Sequence, residues 1–195
     1  RACPARIDGQ CKHCDPCAIV HGWAGAGAFS DGKLSLSDEV GGHVSDYIGH
    51  KRAMDYIHQA DDIYLSFGAS KTVHGLYEAS RYNIRLVPCP VRHLGTENAG
   101  PVLGAMHDYL VTKTNTTFLE LTSAEDILCE EGKVTGVKIH QRGHEPEIVY
   151  APYVVTAPGR GGAQWLSETV SKLGLRTQNN EVDIGVRVEV PNAIM

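Results

Sequence analysis

Residues 22–34 read GWAGAGAFSDGKL, with four glycines and three alanines within thirteen positions. Small side chains let a backbone approach a ligand closely, and glycine also adopts positive φ. Clustered backbone N–H groups bind anionic oxygens, and Ser30 and Lys33 add a hydroxyl and a cation to this run. The stretch predicts a loop that lies against a large phosphate-bearing cofactor. A tight glycine turn without a ligand accounts for the same residues equally well.

This stretch departs from the dinucleotide-binding fingerprint. Gly25 and Gly27 have the right spacing, but Ser30 stands where the third glycine belongs. No strand is predicted before the run, and no clear helix follows it. If a cofactor binds here, the sequence therefore predicts a contact other than the usual strand–turn–helix pyrophosphate site.

Bulk composition restricts the class of protein. The 195 residues are 21% charged and 42% hydrophobic, which is typical of a globular chain with one large domain or parts of two. The net charge of -5 gives no reason to expect nucleic acid or an anionic membrane as partner. No apolar run approaches the roughly 20 residues of a membrane span. We expect a cytoplasmic protein with a small-molecule substrate, and its ends indicate an internal fragment of a longer protein.

The cysteines are concentrated near the start of the chain. Cys11, Cys14 and Cys17 follow a C-x-x-C-x-x-C spacing, which favours a reducing compartment and metal or redox chemistry. Such thiolates suit an iron–sulfur cluster or zinc, with Cys3 or Cys89 as a fourth ligand. Two alternatives fit the same residues: reduced thiols without a metal, and a redox pair of Cys14 and Cys17.

The first half of the chain predicts an irregular segment over residues 1–20 and then a helix over 45–60, with Ser45 as its N-cap. Residues 63–67 predict a short strand or a continuation of that helix. Thr72 is suited to cap a second helix that runs through Val73, and residues 84–87 predict a strand. These elements separate the glycine-rich stretch from the next polar block.

Arg92, His93 and Thr96 lie in a predicted polar loop before a helix, with Pro101 in the first turn of that helix and an apolar stripe over residues 102–110. Backbone N–H groups at a helix start attract anions. The block therefore predicts that Arg92 holds a substrate carboxylate or a cofactor phosphate. The alternative is a solvated loop in which Arg92 pairs with Glu97.

The second half of the chain predicts several strands. A series begins at residues 118–121, and a hairpin joins 127–129 to 134–139 through a turn at Gly132. Strands follow at 148–150 and, buried on both faces, at 153–156. A loop over 157–162 then leads into a helix that ends at Gly174, an order that places a ligand beside a helix N-terminus. Residues 182–190 alternate apolar and polar side chains, as a half-buried strand does.

In chain order, these blocks resemble a family of uncharacterised FAD-dependent dehydrogenases, which are NAD(P)/FAD-dependent oxidoreductases. The matching blocks are Cys-Pro at 3 and 4, the Cys11/Cys14/Cys17 run, residues 25–34, residues 92–96, residues 157–160 and residues 183–191. They span nearly the whole chain.

The resemblance implies an α/β protein, α+β within this fragment, with a partial Rossmann-type FAD-binding domain interrupted by a substrate-side domain. It divides the chain into a cysteine-rich and glycine-rich segment at 1–44, a mixed segment at 45–113, FAD-domain strands at 114–181 and the first strand of a substrate domain at 182–195.

The candidate site combines what the resemblance implies with what the residue patterns predict. FAD is the cofactor, NAD(P)H is a candidate electron donor, and the cysteines Cys3, Cys11, Cys14 and Cys17 are candidate ligands of an iron–sulfur cluster or zinc. The substrate-side candidates are Arg92, His93 and Arg160. The cofactor-binding candidates are Gly25, Ala26, Gly27, Ser30, Asp31, Gly32, Lys33, Glu125, Asp126, Ala157, Pro158 and Gly159. The competing hypothesis is a metal-binding structural module without catalysis, in which the glycine loops are turns.

Overall fold

The computed structural model describes residues 3–75 and 89–179, together with Gly185, Glu189 and Pro191. These residues form a mixed α/β structure with two small antiparallel sheets, each of three strands. The strand predicted at 84–87 falls outside the described residues. So do most of the strand predicted at 182–190 and most of the helix predicted after Thr72.

The first sheet joins the glycine-rich stretch to the polar block. Its strands are β1 (Lys33–Ser35), β2 (Val73–His74) and β3 (Val91–His93), in the order β1-β3-β2. Lys33 lies opposite His93 and Leu34 opposite Arg92 in an antiparallel register. Two predictions are wrong here, because residues 91–93 form the central strand and not a loop, and Val73 begins a strand and not a helix.

The first predicted helix is confirmed, but it is broken. It consists of α2 (Val44–Ile48) and α3 (His50–Ser66), separated by Gly49 at φ +81°. His43 and not Ser45 is the N-cap residue, and Ser45 lies inside α2. Residues 63–66 continue α3, which was one of the two predicted alternatives.

Helix α4 (Thr96–Lys113) confirms the helix predicted after the polar block that contains Arg92, His93 and Thr96. It begins earlier than predicted, because Gly95 at φ +83° is the N-cap residue and accepts a hydrogen bond from the Ala99 N–H at 3.0 Å. Pro101 is consequently the sixth helical residue and lies beyond the first turn. Ala99 and Val102 are buried, so one face of α4 packs against the rest of the chain.

The second sheet confirms the predicted hairpin. Its strands are β4 (Thr122–Glu130), β5 (Lys133–Gln141) and β6 (Glu147–Tyr150), paired in sequence order around turns at Gly132 and Gly143. The strand predicted at 118–121 is wrong. Leu121 has φ +55°, which lies in the left-handed region and is incompatible with a strand.

Residues 153–156 do not form the buried strand that their apolar run predicts. Tyr153 is 87% exposed and Val155 is 92% exposed. A strand that is buried on both faces needs neighbours, and in the described residues the second sheet ends at β6. The chain continues through a 3₁₀ turn at Arg160–Gly162 into α5 (Ala163–Lys172), and Gly174 follows at φ +66°, which confirms the predicted helix.

The N-terminal segment is largely irregular, as predicted. Its regular elements are the one-turn helix α1 (Ala5–Asp8) and a 3₁₀ helix at Gly25–Phe29. Among the described residues, a small buried apolar cluster consists of Ala69, Leu94 and Ala99, with Tyr64 packed against it. No helix within 3–75 or 89–179 has the length and apolar character needed to cross a membrane.

Candidate functional site

The pairing of β1 with β3 brings together two polar blocks that are about 60 residues apart in the sequence. Asp31 lies at the centre. Its Oδ1 accepts a hydrogen bond from the Thr96 hydroxyl at 3.3 Å. Its Oδ2 lies 3.6 Å from His93 Nε2 and 3.8 Å from Lys33 Nζ. The structure thus joins four residues that the sequence had singled out separately.

This cluster is open to solvent. A depression of about 490 Å³ is lined by Ser30, Asp31, Gly32 and Lys33. The side chains of Asp31 and Lys33 are 56% and 63% exposed, and that of His93 is 37% exposed. A carboxylate, an ammonium, an imidazole and a hydroxyl are therefore all within reach of a polar ligand.

Gly32 holds the loop in place. Its φ is +61°, and a Cβ at this position would lie 2.8 Å from the Leu94 Cβ. The loop is fixed to the start of α4 by two backbone bonds, from the Leu94 N–H to the Gly32 carbonyl at 3.0 Å and from the Gly95 N–H to the Asp31 carbonyl at 2.9 Å. A side chain at Gly32 would strain the backbone and displace Leu94.

The backbone donors of the glycine-rich loop are largely satisfied within the loop itself. The N–H groups of Gly25, Gly27 and Ser30 donate to carbonyls three residues earlier, at 3.1, 2.9 and 3.5 Å. The Gly32 N–H donates to the Ser30 hydroxyl at 3.2 Å, and that hydroxyl donates to the Gly27 carbonyl at 3.4 Å. These donors are consequently not directed at an anionic ligand.

The small residues of the 3₁₀ helix have a packing role. The Trp23 indole donates to the Leu103 carbonyl at 2.8 Å and meets the Phe118 ring edge-on at a centroid distance of 5.3 Å. A Cβ on Gly100 of α4 would lie 3.7 Å from the Ala28 carbonyl oxygen. Residues 25–29 therefore resemble the ligand-free glycine turn, whereas residues 30–33 face the depression.

Arg92 has a structural partner that the sequence did not reveal. It is 4% exposed, and its guanidinium donates to both carboxylate oxygens of Asp61 and to the Ser70 carbonyl at 2.5 Å. The hydrogen bonds with Asp61 raise the pKa of Arg92. Arg92 therefore does not pair with Glu97, and it does not face an open site. The sequence did not predict Asp61 as its partner, because nothing distinguishes Asp61 from its neighbour Asp62.

The second glycine loop contacts the start of the first one. A Cβ on Gly161 would overlap the His21 imidazole ring, so only glycine fits this contact without movement. Arg160 is exposed, as are Ala157 and Gly159, while Pro158 is half-buried. The sequence did not indicate His21, because neither its neighbours nor its spacing mark it as a contact.

Glu125 and Asp126 are engaged in ion pairs on the second sheet. Glu125 lies 2.8 Å from Lys138 Nζ and 3.3 Å from His140 Nδ1, and Asp126 pairs with Lys172 of α5. The hydrogen bond from Lys138 lowers the pKa of Glu125. Both carboxylates thus have cationic or histidine partners within this chain, whether or not a ligand binds.

The six cysteines are all free thiols. Within the described residues, no three side chains of His, Cys, Asp or Glu are grouped so that they could hold a metal ion. The metal site at Cys3, Cys11, Cys14 and Cys17 stays a prediction. Backbone N–H groups of Ile19 and Val20 donate to Cys17 and lower the pKa of its thiol.

Comparison of the chain with models of protein families, with curated proteins and with solved structures finds no match. The resemblance to FAD-dependent dehydrogenases therefore rests on the residue blocks quoted above.

Proposed function

We propose that this chain is part of an FAD-dependent oxidoreductase and that residues 30–33, with His93 and Thr96, contact the flavin cofactor. One observation carries the proposal. Two separate blocks of the resemblance meet beside an open depression that is lined by residues 30–33, because Asp31 lies near Lys33, His93 and Thr96. A cluster of polar side chains beside a depression is a common feature of cofactor sites.

The side chains at this depression suit part of a flavin nucleotide. Carboxylate, imidazole, ammonium and hydroxyl groups complement hydroxyl groups and the polar edge of an isoalloxazine ring. When bound, the flavin would supply the electron chemistry, and the protein would position it. Lys33 provides a positive charge beside the ligand, and His93 provides a group that can hold a proton.

Three further parts of the proposal follow from the resemblance. A Rossmann-type parallel sheet is the first of these proposals. It is not one of the two sheets in the described residues, because both of those are antiparallel. NAD(P)H is the proposed electron donor. His93 and Arg160 remain the substrate-side candidates, whereas Arg92 is buried and its guanidinium binds Asp61 and the Ser70 carbonyl.

Absorbance and flavin titration test this proposal. The protein is purified without oxygen, its spectrum is recorded, and FAD is titrated by fluorescence quenching into wild type, Gly32→Ala and Gly104→Ala. We expect flavin binding to wild type and a loss of at least ~10-fold in affinity for Gly32→Ala. Gly104 lies in α4, and a Cβ there meets nothing within 4 Å, so Gly104→Ala should bind normally.

Two results would contradict the proposal. A wild-type protein that takes up no FAD is not a flavoenzyme, and stoichiometric zinc or iron in the same sample would then favour the metal-binding module. Equal FAD affinities for the two glycine variants would place any flavin site away from residues 30–33. Circular dichroism of each variant separates a local loss from unfolding.

A further inference from the structure

We propose that Asp31 recognises hydroxyl groups of the cofactor, so that this loop receives a sugar or ribityl chain and not a diphosphate. The inference rests on the proposed function and deepens it. It also revises the expectation, drawn from the small residues of the loop with Ser30 and Lys33, that the loop lies against phosphate.

The first argument is the hydrogen-bonding capacity of the Asp31 carboxylate. An ionised carboxylate offers about four lone-pair sites. Thr96 uses one of them at 3.3 Å. The distances from Oδ2 to His93 Nε2 and Lys33 Nζ, 3.6 and 3.8 Å, exceed the normal length of a hydrogen bond. The carboxylate can therefore accept further bonds, and a ligand hydroxyl is a suitable donor.

The second argument is charge. Lys33 and His93 are the cationic or titratable groups that face Asp31. Only Lys33 of this set is permanently cationic near neutral pH, so a diphosphate placed here would face a carboxylate with little compensation. A neutral polyol has no such penalty.

The third argument is the state of the loop's donors. Phosphate sites in glycine-rich loops depend on several backbone N–H groups that point at the anion. Here the N–H groups of Gly25, Gly27, Ser30 and Gly32 already donate to acceptors within the loop. The side chain at the centre of the loop is an acceptor, the Asp31 carboxylate.

Calorimetric titration with three probes tests this inference. Riboflavin carries a ribityl chain without phosphate, FAD carries both groups, and AMP carries a ribose with a single phosphate. The proteins are wild type, Asp31→Asn, Asp31→Ala and the control Asp46→Asn. Asp46 is an exposed carboxylate that pairs with His43 at 3.4 Å, away from the depression.

We expect Asp31→Ala to weaken riboflavin and FAD by the same factor, about 10-fold or more, as the loss of a hydrogen bond to a charged group predicts. Asp31→Asn should lose less, and Asp46→Asn should bind like wild type. Weaker AMP and FAD with unchanged riboflavin would support hydroxyl recognition with the ribose as its source.

A loop that faces the diphosphate would change the FAD affinity of the Asp31 variants in the opposite direction. If the loop faces the diphosphate, removal of the Asp31 charge tightens FAD and leaves riboflavin unchanged, which overturns the inference. Unchanged affinities of Asp31→Ala for all three probes overturn it as well. If wild type binds neither riboflavin nor FAD, the proposed function itself fails and the inference fails with it. That outcome is distinct from the two above, in which wild type binds and only the effect of the Asp31 variants is wrong. Thermal melts of each variant show whether the fold is retained.

Discussion

Arg92 and Asp61 illustrate what a single residue contributes to this chain. The pair is buried and joins α3 to the central strand of the first sheet. A buried guanidinium that loses its carboxylate is left with an uncompensated charge, which is strongly unfavourable. The arginine that looks most suited to a ligand in the sequence is thus part of the internal structure.

Asp61→Asn should therefore destabilise the protein. We expect a loss of about 3 kcal/mol in the free energy of unfolding, because the variant breaks a buried ion pair. Asp62→Asn is the control: Asp62 is exposed, and its substitution should change stability by less than about 0.5 kcal/mol. Urea unfolding monitored by circular dichroism measures both, and equal stabilities would contradict the assigned role.

Single residues also mark the limit of what the sequence predicted about the site. Ser30, Lys33, His93 and Thr96 were identified from local composition, and Asp31 from the resemblance. The approach of His93 and Thr96 to Asp31 depends on the register of β1 against β3, a contact between residues about 60 positions apart. No local pattern encodes that register, because each of these strands has only three residues.

Elements were predicted well where local signals decide them. The hairpin of β4 and β5 follows from alternating apolar residues around a glycine turn, and α4 and α5 follow from apolar residues at helical spacing. The prediction of a strand at 153–156 was wrong. An apolar run shows that a segment can be buried, but not that other elements pack against it. Its surroundings in the described residues leave it exposed.

The second sheet should respond to pH through Glu125 and Lys138. The folded-state pKa of Glu125 lies below its ordinary value of 4.5, so its contribution to stability is present above that pH and is lost on further acidification. The pKa of Lys138 lies above 10.5, so its contribution is present below that pH and is lost at higher pH. Between these limits the contribution of the pair should be constant.

Trp165 fluorescence can follow this dependence, because its indole donates to the Glu125 carbonyl at 3.2 Å. In a Trp23→Phe background, acid unfolding of Glu125→Gln should show a weaker pH dependence below about pH 4.5 than its parent. Glu145→Gln, which alters an exposed carboxylate in the turn before β6, should follow the parent curve. Identical curves for all three proteins would refute the assignment.

At the scale of the whole molecule, the described residues present an apolar surface to solvent. Large apolar side chains such as Tyr150, Tyr153 and Val155 contribute to this surface. We therefore expect the isolated chain to bind the dye ANS, which reports exposed apolar surface.

Two valines, one buried and one exposed, test the burial of apolar side chains in solution. Val102 is 3% exposed and Val155 is 92% exposed. Val102→Thr buries a hydroxyl and should cost about 1–3 kcal/mol of unfolding free energy. Val155→Thr should stay within about 0.5 kcal/mol and should reduce ANS binding. A large loss for Val155→Thr would show that residues 153–156 are covered in solution, as the sequence had predicted.

The alternation of side chains along β3 has a consequence for changes in chain length. Arg92 is buried, whereas His93, the next residue, lies beside Asp31 at the depression. Deletion or insertion of one residue just before Val91 would exchange the two sides of the strand. The Arg92 guanidinium would then turn outward and the His93 imidazole inward. A shift of one residue in register would thus remove both the buried Arg92–Asp61 ion pair and the polar cluster around Asp31.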